Sequence, residues 1–587
     1  MMNIARLTPT RTLKLIFFAS IAASASACSL STFDEVSCTD DSECVAAFGD
    51  GAVCQTDGFC SGGGVAGECT VSQDCVNKNG FGSICDQTDF SCRDLQETEI
   101  EERCDKTEPP DLLRDLEAHR DRIVFLTAHD TTASSGHLGR ESAVRAAIRE
   151  INKATIFQDK NGVGRQFGLI MCDELAHDPQ NDDDYVGDEF GRSDAAVFVA
   201  RWGVETLGVA GIIGPAGSSD TIRAFNEVVK EQDGRVVQMA NGAASPAITT
   251  VDAVINPNPN DNSPGWLWRS SSSGEGQGVV LANDIFSRDE INTLPITAQA
   301  TRTVALIHEK GAFGSGIADA FQDEYLRLTQ RDASDATPVR VSYTDGDIED
   351  MKAKTDIVLA MLPNIDAVFF GGQVRDHNEF VKHISRTGSP WLLRENLPIY
   401  FPQTAVGPNV FNNAENPNLF DQVIAANPSV AVNSNAYAIF RTAFVETDPL
   451  GRDPDGISQT AQSWDAGWLL AAGAMWAAIN EDLVTGEGIS RGIRRLTPLT
   501  IPVDPNDDAI EDVQFDTASW AIMSGVFSNS DSSRVDARGA TGELSYDLTT
   551  EEKPTEITIL KSDATDGVSD FVSIAQCGED LVCGPPN

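Results

Sequence analysis

The sequence predicts an α/β fold built on a parallel sheet, and residues 208–249 are the strongest indication of it. An apolar run at residues 209–213 ends in Gly-Pro and is followed by a loop of small residues, 216–219. Apolar residues then recur at helical spacing, and a second apolar run, residues 236–240, leads into the small-residue loop 241–245. Strand, loop, helix, strand and loop in this order form the unit of a parallel sheet with helical crossovers. Both loops leave the carboxyl ends of their strands, where open α/β sheets bind ligands.

Ser218 and Ser219 stand where the helix after the first loop begins. Free backbone N–H groups and hydroxyls converge at such a position, which can hold a carboxylate or a similar anion. A simple N-cap between two turns explains the same residues equally well, so this segment alone leaves both interpretations open.

Length and composition narrow the class of protein. A chain of 587 residues is too long for one core and suggests two or three domains. A hydrophobic content of 41% excludes wholesale disorder, and a net charge of −46 argues against binding to nucleic acid. The densest acidic segments, residues 182–184 and 504–512, lack the Asp-x-Asp-x-Asp-Gly spacing of a calcium loop. We therefore expect no metal and no cofactor.

Residues 1–27 have the composition of a secretory signal peptide. Three basic residues precede the apolar residues 15–23, and the small residues 25–27 precede Cys28. The apolar stretch is too short for a stable membrane span. We therefore expect an exported protein.

Cys28, directly after small residues, resembles the modified cysteine of the bacterial lipobox. That resemblance implies that Cys28 is diacylated and becomes the mature N-terminus. Ala25 stands where leucine is usual, so cleavage by an ordinary signal peptidase is the alternative. Inner-membrane lipoproteins of Gram-negative bacteria typically have Asp after the lipidated cysteine, whereas Ser29 follows here. The resemblance therefore implies the outer membrane, facing either the periplasm or the cell surface.

Eight further cysteines form two copies of one pattern, at residues 38–60 and 69–92. In an exported protein such repeats predict a disulfide framework that replaces a hydrophobic core. Zinc binding is the alternative, which the cysteine spacing and the absence of histidine from residues 29–104 disfavour. Four cysteines allow three connectivities in each repeat, and the sequence does not choose among them. The pattern resembles the small Cys-rich repeats that follow the lipid anchor of some exported bacterial proteins.

Four cysteines remain outside the repeats. We expect Cys577 and Cys583 to close a small C-terminal loop, and Cys104 to pair with Cys172, with a free buried Cys172 as the alternative. The cysteines expected in disulfides are thus Cys38, Cys44, Cys54, Cys60, Cys69, Cys75, Cys85, Cys92, Cys104, Cys172, Cys577 and Cys583. The charged segment 105–118, with two adjacent prolines, has the composition of a linker.

From residue 122 to about 570 the order of features resembles the type 1 periplasmic solute-binding proteins, the family of leucine/isoleucine/valine-binding and amide-binding receptors. Residues 123–127 resemble its first strand, and residues 211–219 its strand and serine loop. Residues 268–278 resemble its first crossover between lobes, and residues 304–316 the strand and loop that open its second lobe.

The resemblance implies an α/β clamshell of two lobes, each a parallel sheet flanked by helices, preceded by the small disulfide-rich module. The expected domains are a lipoprotein signal peptide (1–27), the Cys-rich module with the start of a linker (28–104), the linker (105–118), the two-lobed domain (119–576) and a disulfide-closed tail (577–587). Lobe 1 is expected to contain residues 119–270 and 431–525, and lobe 2 residues 280–430 and 541–576.

The family resemblance also implies a ligand site between the lobes. The positions it suggests are Ser218, Ser219, Gly242, Ala244, Ser245, Glu275, Phe313, Gln373, Gln403 and Trp464. Family members that bind amino acids hold the ligand carboxylate through the serine loop and a threonine, and its ammonium through two acids.

Three of these positions depart from the family pattern. Ala244 stands at the threonine position, Gly274 at the first acid and Gln403 at the second, although a shift of one residue would restore Glu275 as an acid. Because a buried ammonium without a carboxylate partner is strongly disfavoured, we expect a small polar or amide-like ligand, or none, over an ordinary α-amino acid. Phe313 and Trp464 are expected to line the cleft with aromatic surface.

No catalytic motif is present, so an enzyme is not expected. The seven histidines form no HExxH pair, and there is no GxSxG, P-loop or strand-to-helix GxGxxG motif. Two function classes remain open. One is a solute receptor that passes a small molecule to an ABC-type permease or a sensor, and the other is an outer-membrane lipoprotein scaffold that uses the same fold to bind an envelope protein.

Overall fold

The chain contains two units, Met1–Gly67 and Glu68–Asn587. The computed structural model describes residues 40, 53–54, 60–61, 68–131, 135–174, 192–252, 262–287, 303–329, 339–393, 397–406, 410–411, 414–420, 423–498, 511–563 and 570–585. The predicted signal peptide, the lipidation position Cys28 and most of the first Cys-rich repeat lie outside the described residues. In the smaller unit, β1 (Val53–Cys54) pairs antiparallel with β2 (Cys60–Ser61).

The second Cys-rich repeat is a helix followed by a hairpin. Its elements are α1 (Ser72–Asn79), β3 (Ser83–Asp86) and β4 (Ser91–Asp94). Disulfides join Cys69 to Cys85 and Cys75 to Cys92, so the first cysteine pairs with the third and the second with the fourth. This pairing supports a small Cys-rich module.

The predicted domain boundary at residue 104 would separate this repeat from the α/β domain. In the structure the repeat instead packs against that domain. Phe81 and Ile84 are buried in the same apolar cluster as strand residues of the first sheet. The Ser72 hydroxyl donates to the Glu205 carbonyl at 2.8 Å, and Gln73 Nε2 donates to the Arg235 carbonyl at 2.9 Å. The repeat has too few apolar residues for a core of its own and shares that of the larger unit.

The segment predicted as a linker, residues 105–118, is likewise part of the domain. Its residues Lys106–Glu108 form β5, an edge strand antiparallel to residues 169–171. Leu112 and Leu113 are buried, and a disulfide joins Cys104 to Cys172, as the sequence indicates. The prediction of a linker rested on the charged composition of the segment and did not consider that these two leucines could be buried.

The first sheet has a parallel centre. Its other strands are β6 (Arg122–His129), β7 (Phe157–Gln158), β8 (Gly164–Asp173), β9 (Gly211–Ile213), β10 (Val237–Ala240) and β11 (Leu267–Arg269). The order is β11-β10-β9-β6-β8-β5, parallel except for β5, and β7 pairs with β8. The chain moves from β6 to one side at β8 and returns to the other side at β9.

Helices cover both faces of this sheet, and each face has its own apolar cluster. They include α2 (Leu116–His119), α3 (Ser135–Lys153), α4 (Arg192–Arg201), α5 (Ser218–Ala224) and α6 (Ala247–Val251). Helix α7 (Gly274–Ser287) then leads into the second lobe.

The second lobe repeats this plan. Its strands and helices are β12 (Val304–Glu309), α8 (Ala312–Thr329), β13 (Val339–Tyr343), α9 (Ile348–Met361), β14 (Ala367–Gly371), α10 (Val374–Ser385), β15 (Ile399–Phe401) and β16 (Val423–Pro428). These five strands are parallel, in the order β13-β12-β14-β15-β16.

The chain then returns to lobe 1 and finally to lobe 2. In lobe 1 it forms α11 (Asn435–Thr447), α12 (Thr460–Asn480), α13 (Gly486–Arg494), β17 (Glu511–Gln514), α14 (Thr517–Asn529), β18 (Val535–Gly539) and β19 (Gly542–Glu543). In lobe 2 it forms β20 (Ile557–Asp563), β21 (Asp570–Cys577) and β22 (Cys583–Gly584), which extend the sheet antiparallel beyond β16. A disulfide closes the tail between Cys577 and Cys583, also as expected.

The chain crosses from lobe 1 back to lobe 2 later along the sequence than predicted. Leu544 and Tyr546 are buried in a cluster of lobe 1, although residues 541–576 were assigned to lobe 2. The crossing therefore falls between Tyr546 and Ile557. The predicted α/β fold, with parallel sheets flanked by helices, is otherwise confirmed.

Candidate functional site

Both sheets have a topological switch point, and the two switch points define the candidate site. In lobe 1 the loops after β6 and β9 flank it, because β8 and β9 lie on opposite sides of β6. In lobe 2 the loops after β12 and β14 flank it, because β13 and β14 lie on opposite sides of β12. Open α/β sheets bind ligands in the crevice at such a point.

The serine loop and the following loop hold each other in place. Ser218 begins α5 and is buried, and its hydroxyl accepts a hydrogen bond from Ser245 N–H at 3.1 Å. A Cβ on Gly242 would lie 3.3 Å from the Ala216 carbonyl and 2.7 Å from Arg140 Nη1, so glycine permits the close approach of these loops. Four of the predicted site positions are thus brought together in lobe 1: Ser218, Gly242, Ala244 and Ser245.

The two lobes meet at these loops. The Ser245 hydroxyl donates to the carbonyl of Ala312 at 2.8 Å, and Ala312 N–H donates to the Ser219 hydroxyl at 3.3 Å. Ala312 is the first residue of α8 in lobe 2. Two of the hydroxyls predicted to bind a ligand therefore form the contact that closes the cleft.

A neutral polar network supports this surface from below. His129, at the end of β6, is fully buried, and burial together with the charge of Arg140 lowers its pKa to about 3. Asn241 Nδ2 donates to His129 Nε2 at 2.9 Å and to the Ser463 hydroxyl at 2.9 Å. His129 Nδ1 therefore carries the proton and donates to the Thr127 hydroxyl at 2.6 Å.

The position of the family's first acid has no room for a side chain. A Cβ on Gly274 would lie 2.7 Å from the Ala244 carbonyl and 3.0 Å from Ile317 Cγ1. Glu275, the neighbour that a one-residue shift would substitute, is exposed at the start of α7. The predicted aromatic position Phe313 is buried in an apolar cluster that consists mainly of α7 and lobe 2 residues and also contains Ala244.

The second predicted acid position, Gln403, is neutral as well, and its side chain is paired with that of Gln277. Gln277 Nε2 donates to Gln403 Oε1 at 3.0 Å, and Gln403 N–H donates to Gln277 Oε1 at 2.9 Å. Both side chains are buried. Gln403 therefore joins the crossover helix α7 to the loop after β15.

Trp464 lies in the core of lobe 1, although the sequence places it at the cleft. Its ring is fully buried and packs 5.6 Å from Phe440 and 6.0 Å from Trp468, measured between ring centroids. The preceding Ser463 side chain, and not Trp464, contacts the polar network. Helical periodicity alone does not fix which of two adjacent residues faces the cleft.

The carboxyl edge of lobe 2 carries an acidic group that the sequence analysis missed. Glu309 ends β12 and is fully buried, and Oε1 accepts from Gln373 Nε2 at 2.8 Å. Burial, with Asp345 and Asp376 nearby, raises the pKa of Glu309 to about 8. Asp376 accepts from the Tyr343 hydroxyl at 2.8 Å, and burial raises its pKa as well. In the sequence, the available signal was that Glu309 closely follows the apolar run of β12.

Two further observations concern the described part of the chain. Cys69, Cys75 and Cys85 lie close enough together to suit a metal ion, but all three are paired in disulfides. Among the residues that the structure describes, no helix combines the length and the apolar character needed to cross a membrane.

Comparison with known proteins identifies the fold. The leucine binding protein LivK of Thermotoga maritima has 14% identity and a TM-score of 0.53, over 78% of this chain and 100% of that one. A solute binding protein of an ABC transporter from R. palustris, in complex with 4-hydroxybenzoate, has 12% identity and a TM-score of 0.52, over 78% and 97%. A possible leucine/isoleucine/valine-binding protein of Rhodopirellula baltica has 11% identity and a TM-score of 0.52, over 77% and 96%.

These similarities confirm the predicted fold, that of the type 1 periplasmic binding proteins. No family model matches the sequence, and no curated protein matches it. All three similar structures are described as binding proteins. At identities this low the comparison concerns the fold alone.

Proposed function

We propose that this protein is an exported solute receptor that binds a small polar molecule between its two lobes. The observation that carries the proposal is the meeting of the two switch points, where Ser219 and Ser245 of lobe 1 contact Ala312 of lobe 2. A small rotation of the lobes that breaks these two hydrogen bonds exposes the serine loop. Closure over a ligand then shifts an equilibrium between open and closed forms.

The ligand proposed is polar or amide-like rather than an ordinary α-amino acid. Gly274 has no space for an acid, and Gln403 is neutral and paired with Gln277. A ligand ammonium placed where the family holds one would lack a carboxylate at both positions. The receptor is proposed to serve an ABC-type permease or an envelope sensor, as solute binding proteins of ABC transporters do in the similar structures.

A thermal-shift screen of the full mature chain, made soluble by Cys28→Ala, tests this proposal. The panel contains amino acids, amino acid amides, sugars, aromatic acids and short peptides. We expect at least one compound to raise the melting temperature, and Ser218→Ala to reduce that shift, because its hydroxyl positions the Ser245 loop. The matched control Ser528→Ala removes an exposed hydroxyl of α14 and should leave the shift unchanged.

The second candidate function is a lipoprotein scaffold that binds an envelope protein. The use of the Ser219 and Ser245 hydroxyls in the contact between lobes favours it, because these groups then need no ligand. If no compound in the panel changes the melting temperature, the solute receptor proposal fails and the scaffold is favoured.

We also propose that the protein is anchored in the outer membrane through Cys28. The lipobox-like residues before Cys28 and the Ser29 that follows it support this location. Cys28→Ala should move the protein from the membrane fraction to the soluble fraction of the envelope. An unchanged distribution between the two fractions would show that Cys28 is not the anchor.

A further inference from the structure

Glu309 is a buried carboxyl group, and its two oxygens differ in their hydrogen bonds to the part of the chain that the structure describes. Its Oε1 accepts from Gln373 Nε2 at 2.8 Å and from Gly314 N–H at 3.1 Å. Its Oε2 is buried and has no partner among the described residues. Burying a polar oxygen without a donor is costly, and folded proteins rarely leave a carboxylate in this condition. Burial also raises the pKa of Glu309 to about 8, so near neutral pH the free group carries a proton, and a bound cation would take the place of that proton.

Two more carboxyl groups lie beside it. Asp376 is buried and accepts from the Tyr343 hydroxyl and from Gln373 N–H, at 2.8 and 3.0 Å. Asp345 is exposed in the loop after β13, and its Oδ2 and Glu309 Oε1 lie 3.1 and 3.2 Å from the position of a Cβ on Gly311. Among the described residues no lysine or arginine forms an ion pair with any of the three acids. Arg375 lies nearby, since its charge acts on Asp376 and it lines a surface pocket together with Asp345, but it forms no ion pair with the three acids among the described residues.

The arrangement of the acids suits an organic cation better than a metal ion. A metal site needs several ligand oxygens within a few ångströms of one another. In the part of the chain that the structure describes, the groups close enough for that are the disulfide cysteines, not these acids. A protonated amine or a guanidinium is larger and donates several hydrogen bonds, so more widely spaced carboxylates can hold it.

The cluster also borders the proposed ligand cleft. Glu309 ends β12 and Gln373 follows β14, so both lie at the switch point of the lobe 2 sheet. Helix α8 begins at Ala312, three residues after Glu309, and Ala312 is the residue that contacts the serine loop of lobe 1. A molecule seated between the lobes would therefore lie beside the sheet edge that carries these acids.

We propose that Glu309, assisted by Asp345 and Asp376, binds a positively charged nitrogen of the cleft ligand, so that the receptor selects small organic cations such as amines, amino acid amides or guanidines. The inference rests on the proposed function, because it assumes that a small molecule enters the cleft. It assigns the charge recognition to β12, and not to Gly274 or Gln403, where the family resemblance would place the acids.

Calorimetric titration of the full mature chain carrying Cys28→Ala tests the inference. Leucinamide, 4-methylpentanamide and 4-methylpentanoate share one carbon skeleton and are cationic, neutral and anionic, and putrescine and agmatine extend the cationic set. We expect one or more of the cations to bind, and the neutral and anionic compounds to bind at least tenfold more weakly. Glu309→Gln and Asp345→Asn should each weaken the cation at least tenfold.

The control is Asp323→Asn, which removes an exposed carboxylate from α8 and should not change the affinity. Asp345 is exposed and has no hydrogen bond to the described residues, so its variant keeps the test valid even if Glu309→Gln folds poorly. Equal binding of the neutral or anionic compound, or wild-type affinity for the cation in both variants, would show that the inference is wrong while the solute receptor stands. If no compound of either panel binds, the receptor proposal fails, and this inference fails with it.

Discussion

Each lobe buries an acidic side chain, and the two side chains differ in how completely they are hydrogen-bonded. In lobe 1, Asp465 of α12 accepts hydrogen bonds from Ala540 N–H at 2.8 Å and from Thr541 N–H at 3.0 Å. The Thr541 hydroxyl also donates to it, and the buried Lys553 amine donates to that hydroxyl and contributes a compensating charge. In lobe 2, the described residues supply donors to one oxygen of Glu309 and none to the other.

This difference separates a residue that holds the fold from a residue that is available for binding. A buried charge with its hydrogen bonds complete stabilises the arrangement around it, whereas an incompletely bonded one destabilises the protein that contains it. The same contrast appears at the cleft, where lobe 1 presents the neutral His129 network and lobe 2 presents acids. We infer that the neutral groups of lobe 1 determine the shape of the ligand site, and that the acids of lobe 2 recognise the charge of the ligand.

The largest effect is expected from Asp465→Asn. Ala540 N–H and the two Thr541 groups donate to different carboxylate oxygens, so the amide, which has one acceptor oxygen, cannot accept from all of them. The buried Lys553 amine also loses its nearby negative charge. We expect the free energy of unfolding, measured in urea, to fall by about 3 kcal/mol. Asp482→Asn, which removes an exposed partner of Lys160, is the control and should have little effect. A similar small loss in both variants would contradict the role assigned to Asp465.

Gly274→Asp should produce a smaller loss. The new side chain meets the Ala244 carbonyl and Ile317, so we expect a loss of about 1–3 kcal/mol in urea unfolding. Gly525→Asp is the control, because a Cβ there has no atom within 4 Å. A Gly274→Asp protein that keeps its stability and gains affinity for α-amino acids would show that the space at this position is available to a ligand clamp.

For each pH unit, the histidine network changes the stability by less than Asp465→Asn does, and its effect depends on pH. The folded pKa of His129, about 3, lies below the usual value of 6.5, so the neutral form is the folded form. Its contribution to stability is present above pH 6.5 and is lost as the pH falls towards 3, by up to about 1.4 kcal/mol per pH unit. NMR should show the His129 ring neutral, with the proton on Nδ1, between pH 5 and 8. A midpoint near 6.5 would mean that the ring is exposed.

The fold could be predicted from the sequence because its signals are local. The apolar runs before Pro215 and Asn241 and the small-residue loops after them fix strands and crossovers, whatever the rest of the chain does. The disulfides of Cys104 and Cys577 followed from counting what the repeats left over. The burial of Leu112 and Leu113 was not predicted. Composition describes a whole segment, whereas burial differs from one residue to the next within it.

The site could be predicted only in part, because side-chain direction depends on packing between distant segments. Gly274 is excluded as an acid position by the Ala244 carbonyl of lobe 1 and by Ile317 of lobe 2. Trp464 is buried in the core of lobe 1, where it packs against Phe440. The family resemblance suggested Gln373, but its hydrogen bond to Glu309 depends on two strands meeting in the sheet. No local pattern contains that information.

The most direct test of the contrast between the lobes is the stability of Glu309→Gln as a function of pH. The pKa of Glu309 is raised from 4.5 to about 8 in the folded protein, so its stabilising effect is complete below pH 4.5 and is lost as the pH rises through 8. Wild type should therefore lose stability relative to the variant between pH 5 and 9, by up to about 1.4 kcal/mol per pH unit. Urea unfolding of both proteins, with Asp323→Asn as the control, should show the variant more stable than wild type at pH 9. A variant that is less stable than wild type at both pH 5 and pH 9 would contradict the account, because Glu309 would then be a structural residue like Asp465.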